Sequence, residues 1–192
     1  IAVTDVDEFD VTTPTDGNEA TNEIDENADA GTVGITASAS DADGTTNKVT
    51  YSLTSDDSGN FVIDTETGVV STTRSLNHEA GETRTIEVEA TSADGSSKSE
   101  TFNITVNDIN EAPVIESGTT GTVFENAATT TAIYDAVASD VDAGDSITFS
   151  VEGADRDLVS IDGSSGEVTL DSSANFESAK TSYSFDVVAT DR

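Results

Sequence analysis

Asp108-Ile-Asn-Glu-Ala-Pro113 gathers two carboxylates and an amide, from Asp108, Glu111 and Asn110, into one short stretch. Two carboxylates about 4 Å apart repel by roughly 4 kcal/mol at an effective dielectric of about 20, unless a cation sits between them. Hard oxygen donors with no His or Cys in the stretch point to Ca2+ rather than zinc or copper. The same chemistry recurs in Asp5-Val-Asp-Glu8, Asp41-Ala-Asp43 and Asp140-Val-Asp142. A lone Asp-x-Asp beside Gly more often closes an Asx-turn than holds a metal. Recurrence at matched positions favours the ligand reading. Other chemistries find less support. The single histidine, His78, belongs to no nucleophile motif and reads as an exposed loop residue. No Gly-x-Ser-x-Gly turn is present. Paired carboxylates could hydrolyse a glycoside, but a raised-pKa acid needs a dry apolar setting, and these acids stand among other acids in turns. The reading is that the chain is not an enzyme.

The elements that must position these acids are short strands. Phe102, Ile104 and Val106 alternate with polar residues just before Asp108, so they face one side of a strand. Val49, Tyr51 and Leu53 alternate likewise, as do Ile147, Phe149 and Val151. Ile86, Val88 and Ala90 recur as Phe185, Val187 and Ala189. Turn residues such as Asp56-Asp-Ser-Gly59 and Gly163-Ser-Ser165 separate them, and no amphipathic helix is evident. The pattern runs twice. Glu26-Asn27 matches Glu125-Asn126, Phe61-Val-Ile-Asp64 matches Val159-Ser-Ile-Asp162, and Asn77-His-Glu79 matches Asn175-Phe-Glu177. The offset stays at about 98 or 99 residues, a tandem-domain period rather than a solenoid period. The expected fold is all-β: two Greek-key β-sandwich domains in tandem, arranged end to end. Residues 1–10 read as the end of a preceding repeat and its linker, 11–107 as the first domain, 108–113 as a calcium-binding linker, and 114–192 as a second domain without its last strand.

Composition narrows the partners. Thirty-nine acidic residues against seven basic give a net charge of −32. The field has the wrong sign for nucleic acid or an anionic membrane and the right sign for cations. An acidic surface also serves solubility, but that does not explain acids at matched positions. With no cysteine, disulfides and thiolate sites are excluded, and metal can take the disulfide's place as a staple. No apolar run is long enough to cross a bilayer. The strand-like Ile1-Ala-Val-Thr4 at one end and Asp191-Arg192 at the other suggest a piece of something longer.

The ordered set of Glu-Asn, Asp-x-Asp, Phe-x-Ile-Asp then Gly-Val, Leu76-Asn-His-Glu79, Ala-x-Asp and the linker Asp108-Ile-Asn-Glu-Ala-Pro113 resembles the cadherin repeat, in the form found in large RTX-type and biofilm surface adhesins of bacteria. The resemblance implies up to three Ca2+ ions at the junction. The implied ligands are Glu26 and Glu79 from the first domain, Asp108, Asn110 and Glu111 from the linker, and Asp140, Asp142 and Asp191 from the second. Weaker ligands would be Asn77, which lacks the family's Asp charge, and Asp5, Asp7, Glu8, Asp41 and Asp43 upstream, where Ser92 replaces the Asp of Ala-x-Asp. Glu125 and Glu177 would serve a further junction. The resemblance implies calcium-rigidified extender domains of a secreted or cell-surface adhesin. Their partners would be neighbouring repeats, with surface glycans or another cell surface as candidates, and without nucleic acid or membrane insertion. The alternative is a carbohydrate-binding module. Sugar platforms need exposed aromatic faces, and here there is no Trp, Tyr51 and Tyr183 fall in step with core positions, and only Tyr134 reads as free.

Overall fold

The computed structural model of the chain describes residues 1–3, 6 and 8–192. It divides into two compact units, Ile1–Ile109 and Asn110–Arg192. The division falls inside the stretch read as the linker.

Among the described residues unit 1 carries eight strands: β1 (Thr15–Asp16), β2 (Glu23–Asp25), β3 (Thr32–Ser38), β4 (Val49–Ser55), β5 (Phe61–Ile63), β6 (Val69–Thr72), β7 (Thr83–Ser92) and β8 (Ser97–Asn107). They form two four-stranded sheets, ordered β1-β3-β6-β5 and β2-β8-β7-β4. Alternation along each strand turns one side chain in two toward the other sheet. Val33, Ile35, Ala37 and Val70 meet Ile86, Val88, Ala90, Phe102, Ile104 and Val106 in one core, all buried, with Phe61 and Leu76 beside them. Each fully buried side chain of this size stabilises by about 1.5–3 kcal/mol before entropy is subtracted. All pairings are antiparallel except β2 with β8, which run parallel in the register Glu23↔Thr105, Ile24↔Val106, Asp25↔Asn107. Because they run the same way, the residues that follow each, Glu26 and Asp108, emerge at the same end of the sheet.

Unit 2 repeats the plan with less of it in regular strands: β9 (Val114–Ile115), β10 (Ala132–Asp135), β11 (Ala138–Ser139), β12 (Thr148–Glu152), β13 (Val159–Ile161), β14 (Glu167–Leu170) and β15 (Asp186–Thr190). Its sheets are β10-β14-β13, β11-β9 and β12-β15. A single 3-10 turn, Arg156–Leu158, is the only helical element among the described residues. β12, β13, β14 and β15 occupy the places of β4, β5, β6 and β7. Among the described residues there is no counterpart of β8. Residues 122–124, which align with β2, form no strand. The core is correspondingly smaller, with Val159, Val168 and Leu170 buried and Ile133, Tyr134, Phe185 and Val187 partly so. Beside β15 lies a groove of about 700 Å3 lined by Ile133, Tyr134, Tyr183 and Phe185.

Two sequence expectations are corrected here. Of the strand-like Ile1-Ala-Val-Thr4, Thr4 lies outside the described residues; Ile1–Val3 forms no strand, and Ile1 is fully exposed. Tyr134 is not free. Its hydroxyl shares a 2.6 Å hydrogen bond with Ser117, and its ring packs edge-on against Phe185 at 6.3 Å.

The same turn device closes both units. Asp64 Oδ1 accepts the amides of Glu66 and Thr67, and Asp162 Oδ1 those of Ser164 and Ser165. These bonds hold both carboxyls below the usual carboxylate range, the Thr67 and Ser165 amides acting most strongly. Four residues on, Gly68 and Gly166 sit at φ of 71° and 78° against the carbonyls of Ala37 and Ala136. A Cβ at either would strike that carbonyl, so Gly is required by both conformation and space.

Candidate metal centre

Glu26 follows β2 and is 2% exposed. A carboxylate so buried must be met by donors or by a cation. Two backbone donors meet it: His78 N–H reaches Oε2 at 2.8 Å and Ile109 N–H reaches Oε1 at 2.9 Å. The second bond ties the end of unit 1 to the Glu-Asn turn. That turn is fixed by Asn27, whose amide donates to Leu76 O at 3.0 Å and whose φ is 56°. Asn tolerates this left-handed conformation better than most residues.

Around Glu26 stand His78, Glu79 and Asp108. Each of the four offers one ligand atom, and these atoms lie within 4.8 Å of one another. His78 is therefore not the exposed loop residue that the sequence suggested. Its side chain is 24% exposed, with Nδ1 at 3.5 Å from Glu79 Oε1 and 3.8 Å from Asp108 Oδ2. Its amide bond to Glu26 draws it in, a consequence of chain tracing that no local motif reveals. Asn77 Oδ1 accepts the Ala80 amide at 2.6 Å. That bond closes a turn.

In unit 2 the acids of Asp140-Val-Asp142 divide their oxygens between two tasks. Asp140 Oδ1 accepts the Asp142 amide at 3.0 Å, and Asp142 Oδ2 accepts the Glu111 amide at 2.7 Å. The Asx-turn reading and the ligand reading are thus compatible, because Asp140 Oδ2 and Asp142 Oδ1 remain buried without a hydrogen-bond partner. Buried carboxylate oxygens of this kind fit a hard cation by their donor chemistry. Asn110 Nδ2 donates to Asp191 Oδ2 at 3.2 Å.

The upstream set mirrors this. Asp41 Oδ1 accepts the Asp43 amide at 2.9 Å, and Asp43 Oδ1 accepts the Glu8 amide at 3.2 Å. Asp5 and Asp7 lie outside the described residues. A third acid that the sequence reading passed over, Asp94, brings an oxygen within 4.8 Å of Asp41 and Asp43. Further along, Glu125 Oε2 accepts the Phe176 amide at 3.2 Å, as Glu26 accepts that of His78, but Glu125 is exposed. Glu177 is exposed too, its amide donating to Asn175 Oδ1.

Residues 21–107 match the cadherin domain family. The match holds Glu26, Asp41, Asp43 and Glu79 and stops one residue short of Asp108. Cadherin structures also resemble the chain as a whole. Repeats EC22–24 of mouse cadherin-23 are 25% identical, with a TM-score of 0.66 over 98% of this chain and 61% of theirs. Repeats EC21–23 of human CDH23 are 24% identical, with a TM-score of 0.64 over 91% and 58%. Repeats EC1–2 of human protocadherin-24 are 20% identical, with a TM-score of 0.67 over 85% and 79%. None of the curated proteins matches the sequence. The all-β, cadherin-like fold is established by these likenesses, and the acidic clusters on it could hold metal ions. The chain spans about three fifths of the length of the mouse cadherin-23 fragment. Among the described residues no helix is long and apolar enough to cross a membrane.

Proposed function

We propose that this chain supplies calcium-rigidified extender repeats to a larger extracellular adhesin of the bacterial surface type. The observation that carries the reading is Glu26, a carboxylate 2% exposed and within reach of Glu79 and Asp108 at the end of β8. Gathering three carboxylates there is costly without a counter-charge, and His78 is the only basic side chain in the group. Ca2+ would be held by Glu26, Glu79 and Asp108 on the unit 1 side. On the unit 2 side it would be held by Asn110, Glu111, Asp140, Asp142 and Asp191. A single peptide bond, Ile109–Asn110, separates the two sets along the chain. Bound calcium would supply the positive charge that the acids lack and limit the φ and ψ freedom on either side of that bond. Extracellular modules of this kind bind Ca2+ at about 10^-4 to 10^-3 M, so they fill outside the cell and empty in chelator. The −32 charge and the lack of cysteine suit a protein stapled by cations.

No observation favours the sugar-binding alternative, since Tyr134 is engaged with Ser117 and Phe185. The test is calorimetric titration of the whole chain with Ca2+, paired with small-angle scattering in Ca2+ and in chelator. Binding should be saturable, and the distribution of scattering dimensions should narrow when Ca2+ is present. Binding without narrowing would retain the ion and remove the extender role.

A further inference from the structure

We propose that the groove beside β15 is a docking site for a second copy of this chain, and that residues Ile1–Val3 of the second copy enter it as an added strand. The donor is marked by its sequence and its exposure. Ile1-Ala-Val-Thr-Asp-Val-Asp-Glu8 repeats Ile104-Thr-Val-Asn-Asp-Ile-Asn-Glu111, the end of β8 and the residues after it. In unit 1 Ile104 and Val106 are buried in the core. Ile1 and Val3 bring the same two side chains at the same spacing, yet they form no strand, and Val3 is 95% exposed. Apolar side chains so exposed gain from any apolar surface that receives them.

Unit 1 shows what such a segment fits. The end of β8 runs between β2 and the start of β7. Thr105 and Val106 pair in parallel with Glu23 and Ile24, and Ile104 pairs antiparallel with Arg84. The Val106 amide reaches Glu82 O and the Thr105 amide reaches Asn22 O, both at 2.9 Å. Among the described residues unit 2 has no counterpart of β8. The two stretches that would flank it, 121–123 and 181–185, form no strand, and both line the groove of about 700 Å3. Carrying the register of β8 across sets Ile1 opposite Tyr183, Ala2 opposite Thr122 and Val3 opposite Val123.

Burial records the same gap. Ile86 and Val88 of β7 are fully buried, whereas Phe185 and Val187, which stand in their places, are only partly so. An added strand supplies both the backbone bonds and the apolar cover that such an edge lacks. The donor is also available. Glu8 and Val11 are fastened beside the start of β8, by Asp43 Oδ1 and Ser96 Oγ, whereas unit 2 follows its far end. Donor and acceptor are different surfaces, so the contact is heterologous, and copies joined by it form closed rings or open chains.

The experiment is sedimentation velocity of the full 192-residue chain over a range of protein concentrations. Chelator keeps calcium from bridging acids of different copies, so the outcome is independent of the calcium reading above. Salt at about 0.15 M screens the repulsion between copies beyond about 8 Å. The average mass should rise with concentration above that of one chain. Val3→Asp changes a side chain that lies in solvent, so unit 1 keeps its fold, and it should weaken the association by about tenfold or more. In amide NMR spectra of the parent, raising the concentration should shift Thr122, Val123 and Tyr183, and Val3→Asp should remove those shifts. A mass that stays at one chain throughout overturns the proposal. So does association that Val3→Asp leaves unchanged, or association during which Thr122, Val123 and Tyr183 do not move.

Discussion

At the scale of single residues, Glu26 separates electrostatics from packing. Glu26→Gln preserves shape and one carbonyl acceptor while removing a negative charge beside Glu79 and Asp108. In chelator it should lose less stability than Glu26→Ala, because the repulsion is relieved and one backbone amide, not two, is left unmet. In Ca2+ most of the calcium-dependent gain should be lost. Glu26→Ala should instead lower stability in both conditions, by about 1–3 kcal/mol for each buried amide left unmet. Differential scanning calorimetry of the two variants, with and without Ca2+, checks this; equal behaviour would mean that Glu26 acts only as a backbone acceptor. Asp64 and Asp162 make a contrasting pair. Their folded pKa values lie below the ordinary carboxylate value, so their contribution is fully present above about pH 4 and fades as pH falls through the lowered value. Asp64→Asn should flatten this part of the acid limb of the stability curve without changing calcium affinity, since Asp64 belongs to a turn and to none of the acid clusters. A shift in calcium affinity in that variant would refute the assignment of Asp64 to turn closure alone.

At the scale of elements, β7 and β8 share a long antiparallel ladder from Thr83↔Thr105 to Thr91↔Ser97, whereas β15 is paired along β12 only. Amide exchange should therefore be slowest at Ile86, Val88 and Ile104 and markedly faster at Val187 and Ala189. Equal protection at the two sets would mean that β15 is covered on its second edge. Much of this was legible in the sequence. Phe102, Ile104 and Val106 announce β8 by simple alternation, and the Ile-Asp then Gly pattern announces β5–β6 and β13–β14. β2 was not legible. It has three residues with one partly buried, Ile24, and it is set by parallel pairing with a strand some eighty residues away, which local pattern does not encode. The candidate metal centre was partly legible. Glu26, Asp41, Asp43, Asp140 and Asp142 stand at repeated positions, so recurrence exposed them. His78 and Asp94 do not recur, so only the chain's path through space could bring them in. Tyr134 misled because alternation breaks at the irregular register between Ala132 and Tyr134 in β10.

At the scale of the whole molecule, a charge of −32 means that any salt relieves some repulsion, with a screening length of about 8 Å at 0.15 M ionic strength. Site binding is distinguished by its dependence on the ion. At free Ca2+ 100 times its dissociation constant, one site adds about 2.7 kcal/mol. The melting temperature should rise in millimolar Ca2+ well beyond its value in NaCl of equal ionic strength, with Mg2+ a poor substitute because it demands a tighter octahedral shell. Coincident curves in the three salts would leave screening as the whole effect. The parallel pairing of β2 with β8 carries a mechanical consequence. If tension enters unit 1 from its N-terminal side and leaves after Asn107, β2 is drawn one way and β8 the other along the same ladder. The Glu23↔Thr105, Ile24↔Val106 and Asp25↔Asn107 pairs are then loaded together in shear and are not peeled apart one after another. Forced unfolding is governed by the unfolding barrier, so a shear-loaded clasp of even three residue pairs would make unit 1 yield abruptly, at a threshold, and not by gradual fraying.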